Sequence, residues 1–179
     1  MATQGPYYTN TVTDVPGAGP NWFPPENARL SDDSRALVSM TFAGLDSHQL
    51  QATDFQFTVP AGSTIDGITV EIEKRFTGVG VQDRTVKLIK NGAVVGTNKA
   101  SGSAWGGADA FVSYGGGTDL WGETWSVADI NATNFGVALV AFATTSGTSD
   151  GEIDSFRITV TYTAPAVTSR SIAPSLLGA

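Results

Sequence analysis

Phe156-Arg157-Ile158-Thr159-Val160-Thr161-Tyr162 puts an apolar side chain at every second position and a polar one between. An extended chain sends consecutive side chains to opposite faces, so this stretch reads as a strand with one face in a core and one wet. The same pattern runs through Ile68, Val70 and Ile72, set against Thr69, Glu71 and Glu73. Ala36, Val38, Met40 and Phe42 repeat it against Leu37, Ser39 and Thr41. In Leu50-Gln51-Ala52 and Phe55-Gln56-Phe57-Thr58-Val59 the apolar parity shifts at Thr53-Asp54, which predicts one bulged strand. Pro60-Ala61-Gly62 supplies the turn after it.

Further strands follow from the same reading. Val86 and Leu88 lead into Asn91-Gly92 and then Ala93-Val94-Val95, and Asn-Gly accepts the positive φ angles of a two-residue type I′ hairpin. Ala110 to Tyr114 is a weaker strand. Phe135 to Ala143 is apolar on both parities, as in a strand covered on both faces by its own fold or by another subunit. Helical periodicity is confined to Ser126–Ile130, with Ser126 as N-cap. About eight strands joined by Gly-rich turns predict an all-β, two-sheet sandwich of the jelly-roll kind over residues 36–163.

Outside that block the pattern weakens. Residues 1–35 hold Pro6, Pro16, Pro20, Pro24 and Pro25, which interrupt helices and ladders alike, and read as an extended amino-terminal arm. Residues 164–179 read as a second, carboxyl-terminal arm. Both arms are expected to take their order from other surfaces.

Composition excludes several kinds of chemistry. The 179 residues carry 10 Lys+Arg against 17 Asp+Glu, a net charge of −7, which is the wrong sign for neutralising phosphates, so no nucleic-acid partner is expected. No cysteine is present, so disulfides, thiolate nucleophiles and cysteine–zinc sites are ruled out, and a single histidine rules out multi-histidine metal sites. No stretch approaches the ~18 continuous apolar residues of a helical membrane span, and Met1–Pro6 lacks the basic start and apolar run of an export signal. The chain is therefore expected to be made in a cytoplasm and to stay soluble, with no membrane partner.

Catalytic constellations are weak. His48 follows Asp46 and Ser47, but a triad needs an oriented nucleophile, and the plainer reading is a solvated loop histidine. Glu71 and Glu73 share a strand face roughly 6.5–7 Å apart, near the lower limit for an inverting carboxylate pair. With Lys74 and Arg75 beside them they read instead as an exposed ladder of charges. Asp32-Asp33, and Asp150 with Glu152 and Asp154, offer loop oxygens for calcium without the spacing of a calcium loop; Asp150-Gly151 reads as a turn. Gly115-Gly116-Gly117 lacks the Lys-Ser/Thr ending of a phosphate cradle. No catalytic residue, metal or cofactor is expected.

Two surface features remain. Trp105, Tyr114, Trp121 and Trp125 are interleaved with glycines and would suit glycan stacking if they lined a groove; the alternative is that they plug the end of the sandwich. Between Lys74 and Lys99 lie Lys74, Arg75, Arg84, Lys87, Lys90 and Lys99 with one acid, Asp83. Such a basic patch on an acidic chain would orient docking on an acidic partner, unless it is merely a solvated hairpin.

The motifs Asn21-Trp22, Pro25, Asn27-Ala28, Ser31-Asp32 and Phe55–Ile68, with Tyr114–Gly122 and Asn134–Val137, resemble the jelly-roll domain of tailed-bacteriophage virion proteins. The resemblance covers about residues 21–163 and leaves the arms unmatched. It implies a non-enzymatic cement (decoration) protein on the outer capsid surface, with the major capsid protein as partner and a homotrimer as the assembly. Closed symmetry would repeat a modest interface, and arms would add avidity. Similar domains occur in fibres, so a receptor- or carbohydrate-binding fibre head is the alternative.

Overall fold

The computed structural model describes residues 1–166. Ten strands form two antiparallel five-stranded sheets. They are β1 (Ala2–Tyr8), β2 (Thr11–Val15), β3 (Ala36–Met40), β4 (Gln49–Thr53), β5 (Thr64–Gly78), β6 (Val81–Lys90), β7 (Ala93–Val95), β8 (Ala110–Gly116), β9 (Gly136–Ala143) and β10 (Ser149–Thr163). The order β3-β10-β5-β8 in one sheet faces β4-β9-β6-β7 in the other, the eight-strand jelly-roll arrangement. Alternate side chains meet between the sheets: Val38 and Met40, Ile68, Val70 and Ile72, and Phe156, Ile158 and Val160 from one, and Leu50, Val86, Leu88, Val137 and Leu139 from the other.

The amino-terminal stretch is not a free arm. β1 lies along the second half of β10, and β2 along β4, so residues 1–15 extend each sheet by one strand. The proline objection fails because β1 is an edge strand and its register shifts between Gln4 and Tyr7, around Pro6. The rest of the stretch is tied down by Trp22, whose backbone N–H donates to Asp14 Oδ1 at 2.9 Å and whose Nε1 donates to the His48 carbonyl at 3.0 Å. Most of the expected carboxyl-terminal arm, residues 167–179, lies outside the described residues.

Three local expectations also change. The strand begun at Leu50 ends at Thr53, because Asp54 and Gln56 adopt φ of 61° and 59°. Phe55, Phe57 and Val59 still alternate into the core, but their segment pairs with no sheet; Asn131 brackets Val59 instead, accepting from its N–H and donating to its carbonyl. β3 stops at Met40 and leaves Phe42 67% exposed. Asp150-Gly151 lies inside β10, paired with both β3 and β5, and is not a turn.

Other expectations hold. Asn91 and Gly92 take φ of 52° and 79° between β6 and β7, as the hairpin requires. Helix α1 (Val127–Asn131) starts with a reciprocal capping box between Ser126 and Asp129. The doubly apolar strand is β9, between β4 and β6 in its sheet. Val137, Leu139 and Ala141 are buried on the core side, whereas Val140 and Phe142 on the outer side are only half-buried, so the expected cover on both faces is found in part.

Candidate functional site

The basic residues between 74 and 99 do not form one patch. Arg75 projects from the outer side of β5 and is held by Glu152 at 2.8 Å. Arg84 pairs with Asp46 at 3.3 Å, and Lys99 with Asp119 at 2.6 Å. Lys90 donates to the Thr124 carbonyl at 2.7 Å and pairs with Asp129 at 3.4 Å, bracing the hairpin against α1. Lys87, half-buried on the outer side of β6, has no acidic partner among the described residues. The acids that balance these cations come from distant segments, which is why linear counting showed an excess.

Lys74 corrects the expectation outright, being only 3% exposed. It continues the inward parity of Ile68, Val70 and Ile72, so β5 delivers its ammonium between the sheets. Asp83 reaches the same place from β6, on the facing sheet, and is 2% exposed. Lys74 Nζ lies 2.5 Å from Asp83 Oδ1 and also donates to the Tyr114 hydroxyl. Tyr114 in turn donates to Asp83 Oδ2 at 2.8 Å, and Trp105 Nε1 donates to Asp83 Oδ1 at 2.8 Å. The ammonium stands 4.7 Å from the Trp105 ring centroid and 5.1 Å from that of Tyr114. Desolvation drives Lys74 below its ordinary pKa against the pull of Asp83, and drives Tyr114 above its own. Sequence reasoning counted Asp83 only as the one acid of a basic run. The signal was present in parity, since Asp83 keeps step with Val81.

The aromatic group plugs the core. Trp105 and Tyr114 are taken up by the buried cluster, and Trp121 is fully buried with Nε1 donating to the Ile68 carbonyl at 2.9 Å. Trp125 is half-buried, packs edge-on to Phe135 at 5.5 Å and donates to the Leu120 carbonyl. These four rings do not share an exposed groove.

The residues weighed for acid–base chemistry are likewise engaged. Glu71 receives two 2.9 Å bonds from Arg157, whose guanidinium stacks on Phe111 at 3.7 Å. Glu73 accepts from Ser155 at 3.0 Å. His48 is half-buried with Nδ1 2.8 Å from Asp14 Oδ2, so it is a tether for β2 and not a solvated loop residue. Asp154 is buried and accepts the backbone N–H groups of Asp32 and Asp33; desolvation raises its pKa. No group of three or more metal-ligating side chains gathers among the described residues.

One outward feature is apolar. Ala36, Val38 and Met40 face the core, so Leu37 points out from β3. Phe23 pairs with it by reciprocal backbone bonds of 2.9 and 3.2 Å, which puts both side chains on the outer side of the sheet, 71% and 37% exposed. Leu30, 52% exposed, belongs to the same segment, next to the Arg29–Ser155 bridge.

No family model matches the chain, and no curated protein matches it. Among solved structures, one described as "CBM4 structure and function" superposes with a TM-score of 0.42 at 10% identity, over 72% of this chain and 85% of that one. A likeness that loose says nothing about what this chain binds.

Proposed function

We propose that the protein is a non-enzymatic virion component of a tailed bacteriophage, a cement protein that clasps the outer capsid surface as a homotrimer. The observation that carries the attachment reading is the exposed Phe23–Leu37 pair. Two large apolar side chains fixed side by side on the outer side of a sheet keep apolar surface in water, and covering it against a partner would be favourable. The residues that suggested catalysis or glycan stacking support the same reading, because each is spent on holding the fold: Glu71 on Arg157, His48 on Asp14, and Trp121 on the Ile68 carbonyl. The motif resemblance supplies the capsid as partner. Attachment through the basic run is not part of the proposal, since Lys74 is interior and Arg75, Arg84, Lys90 and Lys99 are each held by an acid, which leaves Lys87 alone among the described residues.

Cosedimentation with capsid shells of the encoding phage tests this, with light scattering on the free protein for its oligomeric state. The intact chain is expected to pellet with shells at a saturable ratio, and Phe23→Ser/Leu37→Ser to lose at least tenfold in affinity with an unchanged thermal midpoint. Lys87→Glu, on the opposite sheet, is expected to bind normally. An intact chain that stays in the supernatant sinks the capsid reading; a double serine variant that binds as tightly as the parent sinks the docking face.

A further inference from the structure

The cluster between the sheets joins an amine and a carboxylate with both of the groups an amide-forming reaction needs. We propose that Lys74 and Asp83 become covalently linked, Lys74 Nζ to Asp83 Cγ, in an intramolecular amide that staples one sheet to the other.

Position is the first argument. Nζ lies 2.5 Å from Asp83 Oδ1, and both side chains are fixed by strands in the core. Held reactants of this kind reach effective molarities of about 10⁵–10⁸ M. Burial is the second. An ammonium and a carboxylate are favoured over an amide in water largely by their hydration, and 3% and 0% side-chain exposure removes it. The neutral amide leaves no charge in the core.

The remaining donors are placed for the chemistry. A proton passes from Nζ to the carboxylate, giving amine and acid. The Nζ lone pair then attacks Cγ, forming the C–N bond, and charge builds on Oδ1, where Trp105 Nε1–H already donates at 2.8 Å. Tyr114 accepts from Nζ and donates to Oδ2, so its hydroxyl takes the proton that Nζ sheds and hands its own to the departing oxygen. The Cγ–Oδ2 bond breaks and one water leaves. Ammonium plus carboxylate gives amide plus water, with nothing oxidised and no co-reactant. The product keeps both anchors: its carbonyl oxygen faces Trp105 and its N–H faces the Tyr114 oxygen.

Intact mass of the purified full chain, measured after denaturation, decides the matter without any variant. The expected mass is below that of the sequence by one water, with the loss mapped to a branched peptide joining Lys74 to Asp83. Asp83→Asn is expected to lose one ammonia by the same route, and Lys74→Arg to show the full sequence mass. Tyr114→Phe is expected to slow formation by about 10²-fold, the usual worth of a proton relay. A folded parent that stays at full mass on prolonged incubation overturns the proposal. So does a missing water that maps to a cyclised Asp66-Gly67 or Asp150-Gly151.

Discussion

Gly115 sits at φ +72° beneath Trp121, and a Cβ there would stand 2.4 Å from the indole Nε1 and 2.5 Å from the Ile68 carbonyl oxygen. Neither neighbour is free to move, since the indole nitrogen is bonded to that same carbonyl. Gly115→Ala therefore combines backbone strain with overpacking and is expected to cost about 1–3 kcal/mol, read by urea unfolding. Trp121→Ala empties a fully buried site and is expected to cost about 3–5 kcal/mol by the same measurement. Asp119 gives the pH signature. Its hydrogen bond from Lys99 holds it below its ordinary value of 3.8, so its contribution is complete above that value and disappears as pH falls through the lower, folded pKa. Lys99→Met is expected to lower the neutral plateau of a stability–pH profile slightly, the pair being partly exposed, and to leave stability below the folded pKa unchanged, so that the acid limb flattens by the same amount. A parallel downward shift across the whole range would refute that assignment.

At the level of elements, the amino-terminal strands carry the clearest consequence. β1 and β2 cover the edges of β10 and β4, one in each sheet, with the chain crossing between them at Thr9, whose side-chain hydroxyl donates to the Thr11 carbonyl at 2.9 Å. Deleting residues 1–20 strips both edges together with the Asp14 anchor of Trp22 and His48. The truncated chain is expected to unfold at lower denaturant and to self-associate through the exposed edges, seen by light scattering. A truncation with the parent's midpoint would restore the free-arm reading. The strands in the interior were legible because their periodicity is strict, and α1 because Ser126 and Asp129 form a local capping box. β1 was not, since Gly5 and Pro6 break the alternation at its bulge and only pairing with β10 makes it a strand.

Across the whole molecule, the jelly roll joins segments far apart in sequence: Ala36 meets Ile153, and Ala2 meets Tyr162. Loop closure must precede the reward of such contacts, so refolding is expected in the millisecond-to-second range, about the rate of other all-β sandwiches, by stopped-flow fluorescence. A microsecond phase that accounts for the full amplitude would contradict it. A staple between the sheets acts at this scale as well, since it would tie β5 to β6 in the unfolded chain and leave the rest of the topology to find its own way.

Alternation along single stretches was enough to establish two facing sheets, a core of every second residue and the hairpin at Asn91-Gly92, because each depends only on neighbours in the chain. The set of candidate residues was legible in kind but not in placement. Lys74 and Asp83 are nine positions apart, yet one comes from each sheet, so only the stacking of the sheets brings their charges together out of water. The same holds for Phe23 and Leu37, and for the cations that proved to be paired. Which polar groups lie inside, and which apolar ones stay out, is decided by partners across the fold, and no local pattern contains them.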